Sequence, residues 1–422
     1  MPRPPTDGPL PAPPSPPPLT AMPAGRVVVL LAMLLGIQPV TTDLYLPGLP
    51  ALTSGFAAPM AQAQLTLTAL LLAFGLSQLV WGPLSDRFGR RPILLWGLGA
   101  YVLASAACVL APSMATLIVW RAVQGAAMGA SVMCARAIVR DLYAPEDGAR
   151  VMSRGLTGLG LIACLSAPAG SLLSEYFGWR AALATLAVFG AATLLLVTLW
   201  LRETAPPPRP GATRPAALLA TWRGILRHPT FWSFSLLTVS TYGGLFTFLA
   251  ASSFVLLDVL GLSRLQYGGV MFGVSLVYIA GTFLCRHWLA RFGLQRTVAL
   301  GALLSLGGGT AMGVLALAGV HHPLALVLPF CLFAVGHGIH QPCGQIGAVG
   351  PFPHAAGTAS ALNGCLMMLA AFAMGGWIGT RLDGTVFALS NGLWFWGVCV
   401  ALAAWGLVPR YGRMVAVKVA QP

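Results

Sequence analysis

The sequence has few charged residues. Only 34 of its 422 residues are charged, 24 of them Lys or Arg and 10 Asp or Glu, and this 8% compares with about 25% in an ordinary soluble domain. A soluble protein of this composition would lack a polar surface, which argues against a soluble enzyme. Hydrophobic residues make up 57%, enough for up to about a dozen membrane-spanning helices of about 20 residues each.

Several motifs that carry chemistry are missing as well. The eight cysteines contain no CxxC pair, the spacing that zinc sites and disulfide frameworks commonly use. Nothing like HExxH, GxSxG or a phosphate-binding loop occurs either. We therefore expect no enzyme activity, no metal and no cofactor, and we interpret the cysteines as small apolar packing residues.

What the sequence does contain is long uncharged runs, of which the longest extends from Thr297 to Thr380. Clusters of Pro, Gly and His divide these runs and mark the loops between helices. In lipid, a spanning segment has to be a helix or a strand of a closed barrel. The alternation of apolar and polar residues that marks barrel strands is missing here. The prediction is an all-α integral membrane protein of twelve transmembrane helices. They are expected at about 26–48, 65–84, 92–111, 114–138, 155–174, 180–200, 231–256, 267–286, 297–318, 324–345, 357–380 and 385–408.

The basic residues predict the orientation, because Lys and Arg are retained on the cytoplasmic side. With the N-terminus inside, 20 of the 24 basic residues fall on that side. Both termini are thus expected in the cytoplasm of a bacterial-type inner membrane. The net charge of +14 then reflects topology, and no nucleic-acid partner is expected.

Five segments follow from this pattern. Residues 1–25 contain 11 prolines and are interpreted as a disordered cytoplasmic tail. Residues 26–201 and 231–408 form two six-helix bundles, which suggests two duplicated, pseudo-symmetric halves. Residues 202–230 are a cytoplasmic linker, and residues 409–422 are a second cytoplasmic tail. We expect a monomer in the lipid bilayer.

The turn after the second span reads Gly82-Pro-Leu-Ser-Asp86-Arg87-Phe-Gly89-Arg90-Arg91-Pro. It resembles the signature loop of the major facilitator superfamily, G-x-x-x-D-R-x-G-R-R. The resemblance implies a conformational latch formed by Gly82, Asp86, Arg87, Gly89, Arg90 and Arg91. A basic turn from Arg286 to Arg296 occupies the matching place in the second half but lacks the Asp, so any latch there is weaker.

Other strings narrow the resemblance. Five further segments are similar to the bicyclomycin/chloramphenicol-resistance (Bcr/CflA) branch of drug:proton antiporters. They are Thr42-Asp-Leu-Tyr-Leu-Pro47, Arg121 to Gly125, Arg136 to Tyr143, Gly178-Trp-Arg180 and Pro351 to Leu362. The resemblance covers about residues 26 to 408. It implies multidrug efflux, coupled to protons, and hence a role in antibiotic resistance.

Asp43 and Arg121 are the ionisable residues expected to couple protons to transport. Charges inside spans are costly and usually functional, and a rise of about 1.5 Å per residue places both residues about 10–13 Å below the same surface. The carboxyl of Asp43 could bind and release a proton as its surroundings change, while Arg121 opposes protonation. The alternative is that Asp43 caps a helix end and Arg121 extends to the interface.

Further polar residues are candidates for the substrate cavity, namely Gln38, Tyr45, Gln124, His337, His340 and Gln341. All of these except Tyr45 could instead make hydrogen bonds between helices. His337 and His340, three residues apart, are expected to face one way. Pro168 and Gly170 resemble the antiporter helix-bend motif, with ordinary small-residue packing as the alternative.

These expectations combine into one functional hypothesis. The chain is expected to be a secondary active transporter that exports small, largely apolar compounds in exchange for protons by alternating access. The alternative is a proton-coupled carrier for an endogenous metabolite, in either direction, on the same fold.

Overall fold

A computed structural model describes residues 22–143, 145–204, 215–352 and 355–412. Over these residues the chain is all-α, with no strand. The helices are α1 Ala24–Asp43, α2 Leu49–Phe56, α3 Met60–Phe88, α4 Arg90–Val109, α5 Met114–Leu142, α6 Pro145–Tyr176, α7 Trp179–Trp200, α8 Pro215–Leu226, α9 Pro229–Ser253, α10 Arg264–Leu317, α11 Pro323–Val349, α12 Ala356–Arg381, α13 Phe387–Leu402 and α14 Val408–Tyr411. A 3₁₀ turn at Leu46–Gly48 joins α1 to α2, and π-helical segments at Phe254–Val259 and Ala403–Leu407 continue α9 and α13.

The prediction of twelve spans in two bundles is confirmed, with one difference in how they are joined. Eleven helical stretches are long and apolar enough to cross a membrane. One of them, α10, has 54 residues and is interrupted at Gly293, where φ is 72° and ψ is 176°. Such a backbone conformation is open essentially to glycine alone, so α10 contains two consecutive spans joined by a very tight turn.

The two halves pack against each other mainly through α3 with α12 and α6 with α10. Small residues allow the helices to approach closely, as is common between membrane helices. A side chain at Gly379 would meet the Cα atom of Ala61 at 3.3 Å, and one at Gly75 would overlap Met368. The contact between the halves therefore depends on glycine on both sides.

We call the end of the molecule that lies opposite the basic turns the outer end. Two polar contacts between the halves close this end. The amide nitrogen of Gln64 donates a hydrogen bond to the backbone oxygen of Ala250 in α9. The guanidinium of Arg264, at the start of α10, lies 3.2 Å from the carboxylate of Glu175 in α6. Both contacts join the first half to the second.

The predicted linker contains a helix that the sequence analysis did not anticipate. Helix α8 follows residues 205–214, which lie outside the described part of the chain, and Trp222 packs against the second half. The indole nitrogen of Trp232 donates to the backbone oxygen of Leu226 at 2.6 Å, which fixes the end of α8 to α9. The prolines and arginines of the linker hid this short apolar segment.

The predicted tails lie mostly outside the described residues. Of the predicted disordered tail at 1–25, residues 1–21 lie outside them, and α1 begins at Ala24. Of the C-terminal tail, residues 413–422 lie outside them.

Candidate functional site

Arg121 lies inside the first bundle, and its side chain is fully buried. Its guanidinium donates to Gln124 Oε1 at 2.6 Å and to the backbone oxygen of Thr41 at 3.1 Å. It also lies over the ring of Tyr45, 4.3 Å from the centroid, a favourable cation–π geometry. Arg121 thus ties α5 to the end of α1, and its Nε atom is the one part without a hydrogen-bond partner.

The neighbours of Arg121 form a polar network within the first bundle. The Nε2 atom of Gln124 donates to Ser105 Oγ at 2.6 Å, and the hydroxyl of Tyr45 lies 2.7 Å from that of Thr66. The hydroxyls of Thr41 and Tyr101 are 2.6 Å apart. Gln124 and Tyr45, both predicted to line a substrate cavity, are thus buried and hydrogen-bonded inside the bundle.

Asp43 is the last residue of α1, and its side chain is half-buried. The hydroxyl of Thr42 donates to its Oδ1 atom at 2.7 Å. No nitrogen of Arg121 lies within 4.0 Å of this carboxylate, so the two do not form an ion pair. The 3₁₀ turn that follows it, Leu46–Gly48, contacts α9 and α10 of the second half. The carboxylate therefore sits at the boundary between the halves.

A small cavity lies at this boundary, next to the end of α1, and its volume of about 10 Å³ has room for roughly one water molecule. It is lined by Thr42, Leu46, Leu67, Leu71, Tyr242, Phe246 and Leu249, which belong to both halves. Gln38 lies one helical turn before Thr42 and is half-buried, so both residues share one face of α1. The lining is apolar apart from the hydroxyls of Thr42 and Tyr242.

The structure does not bring His337 and His340 to one surface. The Nδ1 atom of His337 lies 3.0 Å from the hydroxyl of Thr241 in α9. His340 turns to the second span of α10, where its Nε2 atom lies 3.1 Å from the backbone oxygen of Val298. Both imidazoles are buried. Gln341 is half-buried and makes only a long contact of 3.9 Å with the sulfur of Met367. No cluster of three or more metal-ligating residues occurs in the described parts of the chain.

The predicted bend in α6 has a packing role that the structure defines. Pro168 lies inside α6. A side chain at Gly170 would overlap the backbone oxygen of Leu44, the residue after Asp43. Gly170 therefore allows α6 to approach the end of α1 that carries the carboxylate.

The signature turn between α3 and α4 forms a compact ionic cluster. Arg90 is 2% exposed and lies 2.6 Å from Asp86 and 2.9 Å from Asp141, and it also donates to Ser85 Oγ at 2.7 Å. Gly89 has φ 96° and ψ 161°, which a glycine adopts without strain. The turn is thus centred on Arg90, with Asp141 at the end of α5 as its buried partner, and its role as a latch stays a prediction.

Sequence reasoning missed a second component of this cluster, Glu203. Its carboxylate accepts hydrogen bonds from the backbone N–H of Arg90 at 2.8 Å and of Arg91 at 3.2 Å. A carboxylate is favoured at a helix N-terminus, and Glu203 therefore caps α4 from the end of α7. Arg87 instead stacks on Phe88, and Gly82 has no close neighbour beyond Met133. The search for charges inside the uncharged runs could not single out Glu203, because this residue lies after the sixth span and not within it.

Comparison with known proteins shows the family to which this chain belongs. The family model described as Major Facilitator Superfamily matches residues 31–376. The chain is 31% identical over 363 residues to an uncharacterized MFS-type transporter, YdgK of Bacillus subtilis, covering 82% of this chain and 88% of that protein. It is 31% identical over 350 residues to multidrug resistance protein D of Escherichia coli, covering 81% and 85%. It is 28% identical over 330 residues to a chloramphenicol resistance protein of Pseudomonas aeruginosa, covering 77% and 76%.

Solved structures show the same fold at greater distance. A D-xylose-proton symporter superposes with a TM-score of 0.72 at 17% identity, covering 92% of this chain and 98% of that one. The human organic anion transporter MFSD10 gives 0.67 at 20% identity, covering 91% and 99%. These likenesses concern the fold alone.

The two packed six-helix halves and the family match define a multi-pass membrane transporter of small molecules, and its transporter relatives confirm that it is not an enzyme. The chain belongs to the major facilitator superfamily.

Proposed function

We propose that this transporter exports small, largely apolar compounds in exchange for protons, as a member of the Bcr/CflA branch. The observation that carries the proposal is the position of Asp43, a half-buried carboxylate beside an apolar cavity at the boundary between the halves. Two of the relatives reported above bear names that refer to multidrug and chloramphenicol resistance. The distribution of the basic residues favours a bacterial inner membrane with both termini in the cytoplasm.

The proposed coupling uses the contacts of Asp43. In the neutral form, the carboxyl is compatible with a closed apolar contact between the halves at the end of α1. In the charged form, it requires water or a polar partner such as the hydroxyl of Thr42. Protonation from outside and release inside would then accompany opposite movements of substrate. Movement of one charge down 100 mV supplies about 2.3 kcal/mol.

The test is exchange in proteoliposomes that carry an imposed pH gradient. Addition of chloramphenicol, or of other compounds from a panel of uncharged antibiotics, should release protons from vesicles containing the wild-type protein. The Asp43→Asn variant should bind the same compounds but release no protons. The matched control is Asp383→Asn, the same substitution in the loop before α13, where the side chain is exposed to water and bonds to Thr385. Proton release by Asp43→Asn at the wild-type level would refute the assignment of the coupling residue.

The alternative, a carrier for an endogenous metabolite, shares this coupling and differs in its substrate. Proton movement with a cell extract of metabolites but with no compound of the antibiotic panel would favour that alternative.

A further inference from the structure

The inner half of α5 carries an arginine whose surroundings differ from those of every other charge described above. Arg136 lies six residues before Leu142, the last residue of α5, or about 9 Å from the basic end of the helix. Its side chain is exposed, and its one hydrogen bond runs from the guanidinium to the hydroxyl of Ser360 at 3.0 Å. Ser360 belongs to α12, so this contact crosses between the two halves.

Arg136 does not face the lipid. The exposed apolar side chains of Val119, Trp120 and Val123 mark the lipid-facing side of α5. At about 100° per residue, Arg136 is turned about 100–160° away from these three residues. The exposed surface of Arg136 therefore belongs to the cleft between α5 and the second half, on the side of the molecule that the basic turns assign to the cytoplasm.

Arg136 also lacks a counter-charge. Within the described ranges, no carboxylate lies within 4.0 Å of its nitrogens. Two acids at this end of the first half, Asp86 and Asp141, are both held by Arg90. Arg140, one turn further on, adds positive charge to the same stretch of α5, with only a 3.9 Å approach to Asp141. An arginine inside a span without a carboxylate partner usually marks a ligand path, and its planar fork suits oxyanions.

We propose that Arg136 and Ser360 form a subsite that binds the anionic group of an amphiphilic compound entering the cleft from the cytoplasm. A sulfonate, carboxylate or phosphate would accept hydrogen bonds from the guanidinium on one wall and from the serine hydroxyl on the other. The apolar body of the compound would extend toward the cavity beside Asp43. This inference rests on the proposed export function and specifies its substrate class, which is anionic amphiphiles in addition to neutral compounds.

The experiment measures binding without any gradient, so it does not depend on proton coupling. The purified protein in phosphatidylcholine nanodiscs is titrated with 1-anilinonaphthalene-8-sulfonate and with N-phenyl-1-naphthylamine, which has the same ring system without the sulfonate. Empty nanodiscs provide the background. Arg136→Gln should weaken binding of the sulfonate about 10-fold and leave binding of the neutral probe unchanged. Arg136→Lys, which keeps the charge without the fork, should lie between wild type and Arg136→Gln. Ser360→Ala should weaken sulfonate binding by a few-fold.

The control variant is Arg286→Gln. This arginine is exposed on the second half, where it stacks on Phe283 4.4 Å from the ring centroid, and its removal should change neither affinity. A repeat in nanodiscs with phosphatidylglycerol separates the two sources of an anionic group. Weaker sulfonate binding there for wild type but not for Arg136→Gln identifies a lipid headgroup as a competing occupant and supports the site. Equal loss of both probes in Arg136→Gln, or wild-type affinity for both, would overturn the proposal, whatever the outcome of the proton measurements.

Discussion

Replacing Arg90 by Gln tests whether the signature turn is held by one buried ion pair. Arg90 is 2% exposed and its partner Asp141 is 5% exposed, whereas Asp86 is 52% exposed. An exposed pair at i,i+4 contributes about 0.3–0.5 kcal/mol. Loss of one partner from a buried pair costs about 3–5 kcal/mol, because the remaining charge is uncompensated. The contact with Asp141 should therefore account for most of the effect.

The expected result is a decrease of about 3 kcal/mol in the free energy of unfolding for Arg90→Gln, measured by denaturant titration of the purified protein in micelles. The double variant Arg90→Gln, Asp141→Asn should recover about 2 kcal/mol, since no buried charge then remains. Asp86→Asn alone should cost no more than about 0.5 kcal/mol. A loss below about 1 kcal/mol for Arg90→Gln, or a double variant no more stable than the single one, would refute this reasoning.

Three further substitutions test the packing between helices. Gly170→Ala should lower both stability and transport, because its methyl group would overlap the backbone at the end of α1. Gly160→Ala, on the same helix with open space around it, is the control. Equal behaviour of the two variants would contradict the packing role of Gly170. Gly293→Ala should cost about 1–3 kcal/mol through backbone strain. Gly307→Ala, in a helical and uncrowded position, should instead gain up to about 1 kcal/mol from the higher helix propensity of Ala when both are unfolded in parallel. Gln64→Leu removes the hydrogen bond that crosses to α9 and should cost about 0.6–1.7 kcal/mol. A cysteine introduced near the outer end should then react faster with a water-soluble thiol reagent. An unchanged reaction rate would argue against a role of Gln64 in closing this end.

The spans could be predicted from the sequence because each apolar run has to satisfy its backbone internally. The uncharged stretch from Thr297 to Thr380 was therefore correctly divided into helices by its Pro and Gly clusters. The tight turn at Gly293 and the π-helical segment after α9 were not predicted, since both depend on local backbone geometry. Helix α8 was missed because prolines and arginines dominate the composition of the linker.

The site was harder to predict than the spans. Rise per residue placed Asp43 and Arg121 at similar depth, and in the structure Arg121 donates to the backbone of Thr41, two residues before Asp43. Depth does not determine the rotation of each helix, and this rotation directs Arg121 into the first bundle while Asp43 faces the second half. The same reason separates His337 from His340, whose partners lie on different spans. The pairing of Arg90 with Asp141 and Glu203 joins residues far apart in the chain, which no local pattern indicates.

The cap on α4 has a consequence for dissecting the molecule into separately produced halves. Glu203 holds the start of α4 from beyond the sixth span, so the first half includes the first residues of the linker. A break in the polypeptide between 205 and 214 would leave this cap covalently attached to the bundle that it stabilises. A break at the end of α7 would instead transfer Glu203 to the other fragment, and the start of α4 would then be capped only after the two fragments had associated.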